Sequence, residues 1–208
     1  MIKFNTISIC YDEFCVVDSF SEMIGEGEKA VLNGPSGCGK SSILKSAVGF
    51  VPISKGSIEI NGVEVNDSNI STIRNNVCYI PQKITFDPDE TVEEFILFPF
   101  TFKSNVDLMP AKDEVVDLIC RFKLKSEIMD KKMSELSGGQ AQRVGIARGL
   151  LLKRPVCLLD EITSNLDKSS MFAVLEVFSQ MKEATILSVS HDKEWSNVFK
   201  KVITLGGD

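Results

Sequence analysis

The string Gly34-Pro35-Ser36-Gly37-Cys38-Gly39-Lys40-Ser41 sets three glycines beside a lysine and a hydroxyl, a composition suited to holding a triphosphate. Glycines at 34, 37 and 39 let backbone N–H groups turn inward around phosphate oxygens with no Cβ in the way. Lys40 adds a point charge at the β- and γ-phosphates. The Ser41 hydroxyl is placed to ligate Mg²⁺, and a helix starting near Lys40 turns its positive end toward the anion. ATP and Mg²⁺ are the expected ligands. Taken by itself, the same string fits a plain glycine-rich turn between a strand and a helix. Cys38 lies inside the loop, so alkylation of its thiol is expected to block nucleotide binding.

A second group follows a fully apolar run. Val156-Cys157-Leu158-Leu159 carries the chain through a sheet and delivers Asp160 and Glu161 at its C-terminal edge, where open α/β sheets hold ligands. Adjacent carboxylates there need distinct tasks: Asp160 suits the Mg²⁺ shell through water, and Glu161 suits a general base for an attacking water. A solvated turn at a strand end accounts for an isolated Asp-Glu pair equally well.

Leu136-Ser137-Gly138-Gly139-Gln140 lies between these two groups, ahead of a helical run of Ala141, Val144, Ile146, Ala147, Leu150 and Leu151. Its glycines fall at a helix N-terminus with exposed N–H groups, an anion site without a lysine. Ser137 and Gln140 also have capping-box spacing. Capping does not call for two glycines, each unfavourable in a helix by about 1 kcal/mol.

The elements that must position these groups alternate along the chain. Strands are expected at Ile2–Ile9, Cys15–Ile24 and Lys29–Leu32, a helix at Lys40–Phe50, and a hairpin at Ser57–Val65 around Asn61-Gly62. Val77–Ile80 reads as a short buried strand ending at Pro81-Gln82. From Thr91 to about Arg148 the pattern turns helical, with Val115, Leu118, Ile119 and Phe122 on one face. Then come the apolar strand at 156–159, a helix carrying Phe172, Leu175, Val177 and Phe178, and strands at Thr185–Val189 and Val202–Leu205. Strands alternating with helices imply an α/β fold with a parallel sheet buried on both faces. The chain stops at Asp208 just after the last strand, so no appended domain is expected.

A chain of 208 residues with 43% apolar content suits one large packed unit. The net charge of −6 disfavours a protein whose affinity comes from neutralising a phosphate backbone, so nucleic acid is not expected as a partner. The cysteines at 10, 15, 38, 78, 120 and 157 show no metal-type spacing and follow no secretory signal, which reads as a reducing, cytosolic setting. The most apolar stretch, Phe95–Phe102, contains Pro99 and is far shorter than the roughly 20 residues of a membrane span.

The three motifs in this order resemble the nucleotide-binding subunit of an ABC (ATP-binding cassette) transporter over nearly the whole length. The resemblance implies a P-loop NTPase with a RecA-like core, an N-terminal antiparallel β subdomain and a helical subdomain inserted at about 88–148, with residues 1–208 forming one cassette. Such cassettes dimerise head-to-tail around two ATP molecules. Gly34, Pro35, Ser36, Gly37, Cys38, Gly39, Lys40, Ser41 and Ser42 of one copy would then bind one face of the nucleotide. Ser137, Gly138, Gly139 and Gln140 of the other would reach the γ-phosphate in trans. Tyr11, sixteen positions before Gly27, matches the aromatic that stacks on adenine. Gln82 matches the glutamine that senses Mg²⁺ and water, and His191 matches the switch histidine. Ser164-Asn165-Leu166-Asp167 is similar to the loop that contacts the opposite glycine loop, with Asn165 in place of the commoner alanine. Ser42 stands where many members have threonine.

The segment Lys131–Glu135 lacks the acidic-glycine motif of cassettes fused to exporter membrane domains, which implies a separately encoded cassette. Leu97-Phe98-Pro99-Phe100, Asp160–Ser164, His191–Glu194 and Lys201–Leu205 resemble the bacterial Fet-type branch, assigned to iron or metal export, and its plant relatives. The implied partners are a second copy and a polytopic permease docked at a groove near Gln82 and Phe95–Phe102. Core packing explains that apolar stretch equally well. The implied location is the cytoplasmic face of the cell membrane. The competing function is a soluble ABC ATPase of Fe–S assembly, ribosome or DNA work, although the tandem cassettes, coiled coils and zinc modules of the latter two are missing from the sequence. A phosphoryl-transferring kinase has no use for residues 136–140.

Overall fold

The computed structural model describes residues 1–206. The chain end at Asp208, where no appended domain is expected, lies outside the described residues. In chain order the elements are β1 (Ile2–Tyr11), β2 (Phe14–Ile24), β3 (Lys29–Asn33), α1 (Lys40–Ala47), β4 (Lys55–Ile60), β5 (Val63–Glu64), α2 (Ile70–Arg74) and β6 (Val77–Ile80). There follow α3 (Val92–Leu97), α4 (Lys112–Arg121), α5 (Gly138–Leu151), β7 (Val156–Asp160), α6 (Lys168–Gln180), β8 (Thr185–Val189), α7 (Lys193–Phe199) and β9 (Lys201–Thr204). They fall into two compact units: Met1–Tyr79 with Arg154–Glu161 and Lys182–Asp208, and Ile80–Lys153 with Ile162–Met181. The second takes in more chain than the segment 88–148.

The first unit holds two sheets. One is antiparallel in the order β2-β1-β4-β5, and the other runs β6-β7-β8-β3-β9. In the latter β7 pairs with β8, β8 with β3, and β3 with β9, all parallel. Every residue of β7 and β8 is buried, which is why 156–159 reads as a continuous apolar run and β8, with buried Thr185 and Ser188, shows no polar–apolar alternation. A single core joins Ile2, Phe4, Ile24 and Ile58 of the antiparallel sheet to Ile43 and Leu44 of α1 and Leu158 and Leu187 of the parallel one. In β1 the buried positions change from even (Ile2, Phe4) to odd (Ile7, Ile9). A register shift between Phe4 and Ile7, with Thr6 at φ 49°, makes the change.

Helix α1 is shorter than the expected 40–50. Gly49 at φ 69° follows its end, and Phe50 N–H donates to Lys45 O while Gly49 N–H donates to Ser46 O. This is a Schellman closure, for which a glycine is the low-cost residue. Asn61 and Gly62, at φ 50° and 79°, form the expected two-residue hairpin turn.

In the second unit the long helical expectation over 91–148 is corrected: α3, α4 and α5 are separated by 3-10 turns at 98–101, 106–108, 126–130 and 133–135. Pro99 and Pro110 remove helix donors in this stretch. Thr91 starts α3 with a complete capping box closed by Glu94. Phe95, Ile96, Phe100, Val115, Ile119, Phe122, Met133 and Val144 are buried, and the Arg148 guanidinium lies 4.3 Å from the centroid of the Phe95 ring. The helices α2 and α7, five and seven residues long, are too short to show a period.

Cys10 and Cys15 form a disulfide, a pairing the sequence reading did not include, while Cys38, Cys78, Cys120 and Cys157 are free thiols. Cys10 and Cys15 are directly opposite in the β1–β2 register, so the hairpin itself brings them together.

Candidate nucleotide site

Strand β3 ends at Asn33, the loop 34–39 follows, and Gly39 caps α1 with φ 92° and no side-chain cap. A Cβ at Gly39 would run into the Val17 side chain and the Val16 carbonyl, so both the left-handed backbone and the close approach of β2 require glycine here. The loop encloses a pocket of about 200 Å³ lined by Val16, Ser36, Gly37, Gly39, Lys40, Ser41, Ser42 and Glu161. Lys40 is 5% exposed, and its ammonium donates to the carbonyls of Gly34 (2.8 Å) and Pro35 (2.7 Å). The Cys38 sulfur stands 3.9 Å from the same ammonium.

Asp160, at the end of β7, is 3% exposed. The Ser41 hydroxyl donates to its Oδ1 at 2.6 Å, and the Tyr79 hydroxyl donates to its Oδ2 at 3.1 Å. Burial, reinforced by the Asp160 charge and hydrogen bond, raises Tyr79 well above the ordinary tyrosine range, so it stays a donor. Sequence reasoning did not single out Tyr79. Its signal was a lone hydroxyl in an otherwise apolar buried strand, Val-Cys-Tyr-Ile.

The donor set fits Mg²⁺. Ser41 and Asp160 supply hard oxygens that already touch, beside a lysine-bearing phosphate loop, whereas no cluster of three or more His, Cys, Asp or Glu residues able to hold a metal occurs among the described residues.

Glu161 takes φ 47°, a left-handed backbone uncommon for a non-glycine residue, and its N–H donates to Val189 O at 3.0 Å. Its Oε1 lies 3.4 Å from His191 Nε2, with the imidazole half exposed. Residues thirty apart in sequence are joined because β7 and β8 are parallel neighbours whose C-terminal ends coincide, Asp160 pairing with Val189. Tyr11 is 49% exposed, and its hydroxyl stands 3.3 Å from Ser42 Oγ.

The second unit carries the rest. Ser137 caps α5: its hydroxyl accepts from Gln140 N–H, and the Gln140 side-chain carbonyl accepts from Ser137 N–H. A Cβ at Gly138 would meet open space, and one at Gly139 would come 3.2 Å from the Asn165 carbonyl. Asp167 caps α6, accepting from the Ser170 N–H (2.9 Å) and hydroxyl (2.8 Å), and these bonds, the backbone one first, hold its carboxyl below the usual aspartate range. Arg143, another residue absent from the sequence reading, donates to Gly139 O and Phe122 O and ties the start of α5 to the end of α4. Gln82 is exposed in the loop after β6, and Gln142 donates to the adjoining Pro81 carbonyl. In the stretch 95–102, Phe95, Ile96, Pro99 and Phe100 are buried in the packing of this unit, while Phe98 and Phe102 are half exposed and meet edge to face at 5.2 Å.

The ABC transporter family profile matches residues 17–164. FetA of Escherichia coli strain K12, named as an ATP-binding protein of iron export, is 34% identical over 193 residues, covering 91% of this chain and 84% of that protein. GlnQ of Bacillus subtilis strain 168, named for glutamine transport, is 36% identical over 200 residues, covering 92% and 81%. Among solved structures, the dimeric ABC transporter cassette MJ0796 aligns with a TM-score of 0.87 at 24% identity over 99% of this chain and 94% of that one. The chain belongs to the ABC transporter family, as an ATP-binding cassette. It is an ATPase of that class, with a P-loop α/β fold and ATP and Mg²⁺ as its ligands.

Proposed function

We propose that this chain is the ATP-driven motor subunit of a transporter, one cassette over its whole length with an inserted helical subdomain, closing head-to-tail with a second copy around two ATP molecules and driving a separate membrane permease. The observation that carries this reading is the α5 N-terminus. It is a capped, glycine-bearing helix start whose first glycine faces open space. A helix start of that kind suits a γ-phosphate held chiefly by another molecule's lysine loop. The dimeric form of MJ0796 supports the same arrangement.

In the proposed mechanism Lys40 releases the Gly34 and Pro35 carbonyls and turns to the β- and γ-phosphates, while the loop N–H groups cradle them. Ser41 and, through water, Asp160 would hold Mg²⁺, with Gln82 as the further candidate ligand, and the bound ion would supply neutralisation of phosphate charge. Glu161 accepts a proton from water attacking the γ-phosphorus as the bond to the bridging oxygen of ADP breaks. His191, within reach of Glu161, orients that carboxylate and the γ-phosphate. Tyr11 stacks on adenine, and Asp167 fixes the loop facing the partner's glycine string. ATP does work here because it binds the closed dimer better than the open one.

The cargo class proposed is iron or another metal, exported, on the strength of the FetA likeness and the strings it shares with that branch. The half-exposed Phe98 and Phe102 offer an apolar contact for the permease, reached from Gln82. No helix among the described residues is long and apolar enough to cross a membrane.

Mixing tests the shared pocket. A Lys40→Ala copy and a Ser137→Arg copy, each inactive, should regain roughly a quarter of wild-type turnover when combined one to one, because random pairing restores one complete site in half of the dimers. Stable association with no recovered turnover rejects the scheme.

A further inference from the structure

The Asp160 carboxylate is held from two sides, and one of them is not explained by the glycine loop. Ser41 holds Oδ1, and Tyr79 holds Oδ2 from the penultimate position of β6, the strand beside β7. Tyr79 is itself braced. The Phe50 ring meets it edge-on with centroids 5.7 Å apart, and the Arg74 guanidinium lies 4.9 Å over the Phe50 ring while its Nε donates to Val48 O at 3.1 Å. A chain of contacts thus runs from the surface, where Phe50 is 57% exposed, to a carboxylate that is 3% exposed.

We propose that Tyr79 is a positioning residue for the metal site: it occupies Oδ2 of Asp160, fixes the carboxylate plane, and leaves Oδ1, the oxygen beside Ser41, to serve the Mg²⁺ shell. This rests on the reading of Asp160 as the carboxylate that holds Mg²⁺. A buried carboxylate offers two oxygens that a half-turn about its last torsion interchanges, and that torsion is soft. One hydroxyl partner leaves the plane free to swing once Ser41 turns to the metal ion. A second donor, anchored on a neighbouring strand, keeps the plane fixed through that exchange. Hydrogen bonds to a charged acceptor are roughly twice as strong as neutral ones, so Tyr79 is suited to the task.

The test is Tyr79→Phe, which keeps the ring against Phe50 and removes only the hydroxyl. Binding of Mn²⁺ to the ATP-loaded protein, followed by the electron paramagnetic resonance signal of the free ion, should weaken about fivefold to tenfold. ATP affinity in EDTA should stay at the wild-type value, the thermal midpoint should fall by about 2–8 °C because a hydrogen bond to a buried carboxylate is lost, and turnover at saturating metal should fall no more than about twofold. Phe50→Ala, which loosens the brace, should produce a smaller shift in the same direction. Asp160→Asn separates the two readings. If it abolishes Mn²⁺ binding while Tyr79→Phe leaves it within twofold, the positioning role is overturned and the Asp160 reading stands. If Asp160→Asn leaves Mn²⁺ binding unchanged, both fall. If Tyr79→Phe weakens ATP binding in EDTA as much as metal binding, Tyr79 is a general structural residue and the proposal is overturned.

Discussion

Two glycine-rich helix starts in this chain invite comparison, the loop before α1 and the turn before α5. At the first, glycines at φ 84° and 92° bend the backbone back on itself and the helix cap is a glycine with no side-chain bond. Of the loop N–H groups, those of Gly34 and Cys38 donate to Asn33 Oδ1 and Pro35 O, and a lysine and a carboxylate stand around the loop. At the second, a serine and a glutamine close a full capping box, and Gly138 faces open space. The pocket at the first is lined by Lys40 and Glu161, and the one beside the second by Gln140 with Lys123, Lys125 and Lys131. The lesson is that glycine spacing alone does not tell these two helix starts apart. The groups brought up around them do.

Several measurements would break or sharpen that contrast. The largest effect is expected from Lys40→Ala, which should lower ATP affinity by roughly a hundredfold or more in a fluorescent-nucleotide titration, since it removes the one buried cation of the pocket. Ser137→Arg should instead leave ATP affinity of a dilute single copy within twofold and lower turnover by roughly a hundredfold. Equal losses of affinity at both sites would erase the distinction.

Next comes Glu161→Gln, expected to reduce turnover about a hundredfold or more while ATP binding persists, with a dimer accumulating in size-exclusion chromatography when ATP is present. A monomeric profile with ATP bound would count against the paired-copy reading.

The glycines themselves should respond with opposite signs. Gly39→Ala places a Cβ against Val16 and Val17 at a left-handed backbone and should cost about 2 kcal/mol of unfolding free energy. Gly138→Ala enters open space in a helix and should stabilise by up to about 1 kcal/mol in the same urea melts, while turnover falls.

The smallest effect concerns Asp167. Its pKa is depressed in the folded chain by the Ser170 bonds, so the stabilisation is full above the unfolded aspartate value and is lost as pH falls through the lower folded value. Asp167→Asn should therefore flatten the acid limb of a stability-against-pH curve below the ordinary aspartate range and leave the neutral limb with the same slope.

Much of this was legible beforehand because it is local. The loop Gly34–Ser41, the apolar strand ending in Asp160-Glu161 and the capping box at Ser137 depend on residues within one or two turns of each other, and the structure draws each at the expected place. The helical segment after Thr91 was less legible, since the prolines at 99 and 110 divide it and short 3-10 turns have no period to detect. The Cys10–Cys15 bond was missed because compartment arguments say nothing about a pair that a hairpin sets face to face.

What the sequence alone determined is a set of local elements: a glycine loop ahead of a helix, an apolar strand ending in two carboxylates, and a helix capped by serine and glutamine, each written in consecutive residues. Only the tertiary structure decided which of these touch. Ser41 meets Asp160 across 119 positions, His191 meets Glu161, and Tyr79 closes on Asp160 across 81. Those meetings follow from strand order in the sheet, where β6, β7 and β8 lie side by side with β3 next in line. Strand order is set by how the apolar faces of all the strands and helices are buried together, a property of the whole chain that no short window contains.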